Sequence, residues 1–474
     1  MALDLHRTIS WRQALDAKRP QDAQDLALLV DLQGNILKGH GRKHTANIFL
    51  RFGDAAAGRA FLKSIGPDLN SALDQLYKTT VHKATGSDGG LFLAALLSAE
   101  GYKALGLQSR MPSDPAFSAG MASRRDLLDD PERASWEAGF AAPVHCMLLL
   151  GVDDADPKAK RGAARDAAAV EMLDRIKSFG PSITVAARQD GDALFNTEDH
   201  NGIEHFGYVD GRSQPLVLDE DLANEAKSMW NPTVCLSQAV LPDPGGRLGV
   251  SCSSYFVFRK LEQDVKGFKS EEKALAARLG MAAPDDERAG ASVVGRFENG
   301  TPVVASKSEV PLDPDKSVLN DFNYDGDPQG LKCPFAGHIR KTNPREHGTR
   351  RHLMFRRGIP FGLRSDDPND GEIDNKPSGG VGLLFMAYQS DLVEQFEFTQ
   401  RLWADNPGFN PEGQQPVGSD PVIGQGAKAD AAQRYPKVWG RAPLSEPQSF
   451  GGFVTMRGGE YFFAPSLSFF KSLA

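Results

Sequence analysis

The chain of 474 residues exceeds what one hydrophobic core usually organises, so two packed domains or one large duplicated unit is the expectation, with room for a buried cavity. A net charge of −8, with acidic and basic residues interspersed, argues against a nucleic-acid-binding surface. No apolar run approaches membrane-spanning length and no secretory leader is visible in the first residues, so a cytoplasmic protein with no membrane contact is expected.

In chain order, residues 46–52 read as a strand, the Ala-rich stretch 55–65 as a helix, residues 76–83 as a further strand and 91–97 as a buried strand. Residues 143–150 look like a central strand, 159–179 carry helical spacing and 183–187 begin another strand. The Pro- and Gly-rich stretch 231–250 suits a connection between domains. Beyond it, 254–258 reads as a strand, 261–280 as a charged amphipathic helix, 351–356 and 381–388 as strands and 391–403 as a helix. The polar segment 363–380 reads as a surface loop without chemistry of its own. Strand, helix, strand, strand, helix thus recurs in both halves. The fold class expected is α+β, as two ferredoxin-like domains of βαββαβ type with antiparallel sheets. The boundaries expected are an N-terminal extension over 1–40 and domains over 41–231 and 232–474.

Cys146, Cys235, Cys252 and Cys333 stand far apart with no Cys-x-x-Cys pair, which excludes the usual zinc and iron–sulfur spacings. Buried free thiols are the expectation. No Gly-x-Ser-x-Gly elbow, phosphate-cradling Gly-x-x-x-x-Gly-Lys-Ser/Thr loop or dinucleotide fingerprint occurs.

Chemistry concentrates in two places. His338-Ile-Arg-Lys-Thr-Asn-Pro-Arg345 joins one imidazole to several cations. Such a histidine can ligate a haem iron while arginines hold the propionates, or it can be structural. The second place is Glu204-His-Phe-Gly-Tyr-Val-Asp210-Gly211, where a carboxylate stands between glycines that let a planar ligand approach. Asp210 is either an acid/base or an ordinary turn aspartate. The remaining histidines, among them His200, His205, His347 and His352, have no metal spacing and are expected to be solvated or hydrogen-bonded.

Phe206-Gly-Tyr-Val-Asp-Gly211, the His338–Arg345 segment and Phe355-Arg-Arg-Gly-Ile-Pro-Phe-Gly362, in this order, resemble the dye-decolourising (DyP-type) haem peroxidases. The resemblance extends to Asp31-Leu-Gln-Gly-Asn-Ile-Leu37, Leu383-Leu-Phe-Met-Ala-Tyr-Gln389 and Asp420-Pro-Val-Ile-Gly-Gln425, and so covers most of the chain. It is closest to the long form of the family. It implies haem b as cofactor, with hydrogen peroxide reduced and dyes or phenolic and other aromatic donors oxidised in one-electron steps. By position, His338 corresponds to the proximal iron ligand, Asp210 to the distal acid/base, Arg356 to the distal arginine and Arg340 to a propionate partner. The resemblance makes Asp420 the carboxylate partner of His338, with Glu397 as runner-up, or else a capping aspartate before Pro421. Leu383 and Phe385 correspond to residues lining the distal side, although plain core packing is an alternative. Phe361 stands where some relatives carry an electron-relaying tyrosine, which puts that relay in doubt here. Trp403 could relay electrons from large dyes or simply be core, and Tyr388 is a weaker candidate. The alternative function is a haem-handling protein with little turnover; storage, however, needs neither Asp210 nor Arg356.

Overall fold

The computed structural model describes residues 3–87, 89–154, 160–196, 200–311, 319–409, 417–425 and 432–474. Residue 159, where the expected helix began, lies outside them.

The first half runs β1 (His44–Phe52), α1 (Ala55–Ile65), α2 (Ala72–Thr85), β2 (Phe92–Leu97), β3 (Cys146–Val152), α3 (Ala163–Ser178) and β4 (Ile183–Asp192). Its strands lie antiparallel in the order β2-β3-β1-β4. The second half runs β5 (Cys252–Gln263), α4 (Val265–Leu279), the short α5 (His338–Thr342), β6 (Phe355–Arg356), β7 (Ile359–Phe361) and β8 (Gly382–Gln389). Two π-helical turns, Leu392–Glu397 and Thr399–Ala404, then lead into β9 (Val454–Ala464). Its order is β7-β8-β5-β9 with every pair antiparallel. Both halves therefore repeat the fourth-first-third-second strand order of a ferredoxin-like unit, as expected.

The two units share one sheet and one core. Phe463 of β9 pairs with Leu97 of β2 across the junction. At the other end of the strand order a Cβ on Gly191 of β4 would stand 2.4 Å from Ile359 of β7, so these edge strands also meet. Phe49 of β1 packs 4.8 Å from Phe258 of β5 and 6.2 Å from Phe462 of β9, with the ring of Phe140 5.0 Å away. Strands buried on both faces explain the nearly continuous apolar runs Phe92–Leu97 and Cys146–Val152.

Most expected elements appear, with four differences. Residues 76–83 lie in helix α2, not a strand. Ser71 caps it by accepting from the Asp74 amide, and the Thr79 and Thr80 hydroxyls donate to carbonyls four residues back. Those bonds let a β-branched run sit in a helix. Of residues 351–356 only Phe355–Arg356 is strand, because His347–His352 is a 3-10 turn. The charged helix starts at Val265, since β5 continues to Gln263 and Asp264 caps the helix by accepting from the Gly267 amide. Residues 363–380 are irregular but not merely surface: the Lys376 ammonium is buried between Asp366 and Asp370.

All four cysteines are free, and Cys146, Cys252 and Cys333 are buried. No helix among the described residues is long and apolar enough to cross a membrane.

Candidate active site

A deep cavity opens in the second unit, lined by that unit and by the 204–215 segment that precedes it. His338, Asp210, Arg356, Leu383 and Phe385 all line it. Three segments far apart in sequence thus converge on one space, along with two residues of β8 that project to the same side.

His338 opens α5 directly after Gly337, where a Cβ would lie 3.1 Å from the carbonyls of Pro334 and Ser292. The His338 Nδ1 stands 2.9 Å from Asp420 Oδ2. The other oxygen of Asp420 accepts from the amides of Val422 (2.8 Å) and Ile423 (3.0 Å). Both alternatives for Asp420 are therefore present at once: it caps its own turn and holds the imidazole. Burial opposes charge on His338, but the Asp420 carboxylate outweighs it and raises the imidazole pKa. Burial likewise works to raise Asp420, yet His338 and the two amides keep it lowered. Nδ1 donates, which leaves Nε2 as the nitrogen available to a metal. Glu397, the runner-up, is instead engaged by Arg124 and by the Tyr461 hydroxyl.

Arg356 ends β6 and Arg357 follows it, with the two side chains on opposite sides of the chain. The Arg356 guanidinium donates to the Ser213 carbonyl (2.9 Å) and its amide to Gln214 Oε1 (3.2 Å). Arg357 points to the opposite side and donates to the carbonyls of Asn35 (2.7 Å) and Ile36 (2.9 Å). The motif at residues 31–37 is thereby tied to the far side of the Arg356 strand.

Asp210 sits at the end of a tight turn. Its amide donates to the Gly202 carbonyl (3.1 Å) and its carboxylate accepts from the Gly211 amide (2.6 Å). Gly207 and Gly211 have φ of +98° and +78°, the left-handed region that glycine adopts without strain. At Gly207 a Cβ would meet Asn369 of the 363–380 loop at 2.9 Å. This glycine makes room for that loop, not for a planar ligand.

Two expected cofactor contacts are displaced. Arg340 does not line the cavity: it donates to Asp327 Oδ2 (2.8 Å), the Asp327 carbonyl (2.9 Å) and the Cys333 carbonyl (2.6 Å). Two residues along a helix is about 200° of rotation, so Arg340 faces away from His338. Phe361 does not line it either: its ring packs beneath the Lys260 ammonium, 4.5 Å away, and its carbonyl accepts from His205 Nε2 at 2.8 Å.

Arg296 was not singled out from the sequence, whereas Arg345 ends the cation-rich His338 segment; both line the cavity. Arg345 donates to Ser213 Oγ and Asn320 Oδ1, both at 2.8 Å, and Arg296 reaches Ser213 Oγ at 3.2 Å. Their other hydrogen-bond acceptors are main-chain carbonyls, and both guanidiniums lie over the ring of Phe322. Burial lowers Arg296 to about 9, helped by the charge of Arg345, and lowers Arg345 to about 10. Two buried guanidiniums whose oxygen partners are neutral form a ready seat for an anionic group. With an imidazole fixed by a carboxylate and apolar walls at Leu383, Phe385 and Phe396, this donor set fits a haem with its propionates.

Trp403 is buried among His352 (5.1 Å), Phe398 (5.3 Å) and Phe409 (5.5 Å), and Tyr388 is wholly buried. His205 and His352 are hydrogen-bonded to carbonyls. No group of three or more His, Cys, Asp or Glu side chains among the described residues is arranged to hold a metal ion.

Residues 31–193 match the model of the DyP dimeric alpha+beta barrel domain, and residues 250–412 match the C-terminal domain of Dyp-type peroxidases. The chain is 44% identical to the multifunctional dye peroxidase DyP2 of an Amycolatopsis species over the full length of both. The solved structure of DyP2 superposes with a TM-score of 0.89, covering 99% of this chain and 100% of that one. A DyP-type peroxidase from Anabaena has a TM-score of 0.85 at 34% identity, with 99% of each chain covered. Peroxidase 2 of Mycetinis scorodonius is 32% identical across 93% of this chain and 86% of its own length. The chain belongs to the DyP-type peroxidase family and is a haem b enzyme that oxidises dyes with peroxide.

Proposed function

We propose that His338 would hold the haem iron, that Arg296 and Arg345 would seat the propionates, and that Asp210 and Arg356 act on hydrogen peroxide in the same cavity. The observation that carries this is the convergence of the His338–Asp420 pair, Asp210 and Arg356 on one cavity from separate segments. Bound haem b supplies the redox chemistry, taking oxidising equivalents from peroxide and releasing them to aromatic donors one electron at a time.

The residues supply the rest. Asp420 accepts the Nδ1 proton of His338, fixing ring orientation and making Nε2 a stronger electron donor. Asp210 takes a proton from one peroxide oxygen and delivers it to the other, which becomes the leaving water. Arg356, always protonated and already anchored on the Ser213 carbonyl, meets the charge that builds on that leaving oxygen without having to reorganise. Leu383 and Phe385 narrow the space to small peroxides. We take residues 41–231 and 232–474 as the two domains, the first carrying Asp210 and the second His338 and Arg356. Four free thiols suit a reducing, cytoplasmic setting.

The test is His338→Ala. The variant is expected to lose tightly bound haem on gel filtration after reconstitution. Full haem retention with an unchanged absorption spectrum refutes the ligand assignment.

A further inference from the structure

We propose that Glu204 is the positioning residue for Asp210: its carboxylate closes the turn that carries Asp210 and ties that turn to the central sheet. The proposal rests on the reading of Asp210 as the acid/base.

One carboxylate serves three donors. Glu204 Oε2 accepts from the Phe206 amide (2.9 Å) and from Gln263 Nε2 (2.6 Å), and Oε1 accepts from the Tyr208 amide (3.2 Å). The main chain closes the same loop, with the Glu204 amide donating to the Tyr208 carbonyl (3.1 Å) and the Gly207 amide to the Glu204 carbonyl (2.9 Å). Gln263 ends β5, a strand paired on both sides, and its amide donates to the Val381 carbonyl (2.8 Å). The turn is thus fastened to the end of a strand in the interior of the sheet.

The loop at 363–380 braces the same turn from outside. Arg364 donates to the His205 carbonyl (2.5 Å) and Asn369 to the Gly207 carbonyl (3.1 Å). Buried Lys376, held by Asp366 and Asp370, fixes that loop in turn.

Asp210 has little hold of its own. Among the described residues its carboxylate accepts only from the Gly211 amide. Its placement over the cavity therefore depends on the turn. Only a carboxylate suits position 204, because an amide side chain has one acceptor oxygen for three donors and sets its own NH2 group against the others. Glu204 lines the cavity, and burial pushes it up to about 7 against the pull of the Phe206 amide, Gln263 and the Tyr208 amide. A carboxyl shifted this far by burial is the kind of group that clusters at functional sites.

The test uses haem-loaded protein with E204Q, D210N and the double variant, mixed with hydrogen peroxide in stopped flow. E204Q is expected to keep its haem and to slow the peroxide step by about 10²-fold, the scale of a 1 Å misplacement. Amide hydrogen exchange at Phe206 and Tyr208 should speed up in both apoprotein and holoprotein. On the D210N background E204Q should add nothing, because there is no carboxylate left to misplace.

A wild-type peroxide rate in E204Q, beside a slow D210N, overturns the positioning role alone. So does an equal slowing by E204Q on both backgrounds, which would mark general damage. A wild-type rate in D210N removes the Asp210 assignment, and this proposal with it. Should E204Q not fold, Gln263→Leu cuts only the tie to β5 and must show the same dependence on Asp210.

Discussion

Replacing Arg356 with leucine separates charge from packing at the distal side. The substitution keeps the main-chain bond from residue 356 to Gln214 Oε1 and most of the alkyl volume, and removes one guanidinium with its bond to the Ser213 carbonyl. The lost charge-assisted hydrogen bond costs about 1.5–3 kcal/mol of stability, too little to unfold the chain. Haem should stay, because Arg296 and Arg345 still occupy the anion seat at Ser213. The rate is another matter: removing one fixed donor aimed at developing charge costs about 10²–10³ in rate, roughly 2.7–4 kcal/mol. Single-mixing stopped flow of haem-loaded protein with hydrogen peroxide measures that step, and oxidation of an aromatic donor afterwards should proceed at its normal rate. Arg356→Lys keeps a charge without the planar fork and should fall between the two. An unchanged peroxide rate in Arg356→Leu, at full haem content, refutes charge stabilisation by this residue.

Asp420→Asn should weaken haem retention or turnover by about 10–100-fold, as loss of an outer-shell partner to a metal-bound histidine does, read by haem transfer to an acceptor apoprotein. Arg345→Leu should cost about 1.5–3 kcal/mol of haem affinity, the worth of a charge-assisted bond, while the loaded fraction reacts with peroxide normally; unchanged affinity removes Arg345 from the propionate seat. His205 is buried with its Nε2 proton on the Phe361 carbonyl, and burial lowers it from 6.5 to about 4. A histidine depressed in the fold stabilises fully above its unfolded pKa, and that contribution is lost as pH falls through the folded one. Apoprotein stability should therefore fall between pH 6.5 and 4, with His205 contributing up to about 1.4 kcal/mol per pH unit, and His205→Gln should flatten that slope in urea titrations. An identical slope in the variant shows that His205 titrates freely.

The paired units were legible because central strands such as Phe92–Leu97 and Cys146–Val152 carry continuous apolar runs. Residues 76–83 misled because Thr79, Thr80 and Val81 favour strands intrinsically, while the hydroxyl bonds that reconcile the threonines with a helix depend on its already being one. His338, Asp210 and Arg356 stand in local motifs, and all three line the cavity. Arg340 lies off the cavity for a reason the sequence contained: once 338–342 is taken as helix, the second residue after His338 faces away. Arg296 and Glu204 left no such signal. Their roles come from contacts with Ser213, 83 residues away from Arg296, and Gln263, 59 residues away from Glu204, which no local pattern encodes. The loop at 363–380 looked like solvent-facing polarity, and only its contacts with His205 and Gly207 show it bracing the distal turn.

The most direct test is the absorption spectrum of the haem-reconstituted protein before and after one equivalent of hydrogen peroxide. The account predicts a histidine-ligated ferric spectrum that changes within the mixing time of a stopped-flow instrument and returns when an aromatic donor is added. A protein that takes up no haem, or whose spectrum does not respond to peroxide, contradicts it.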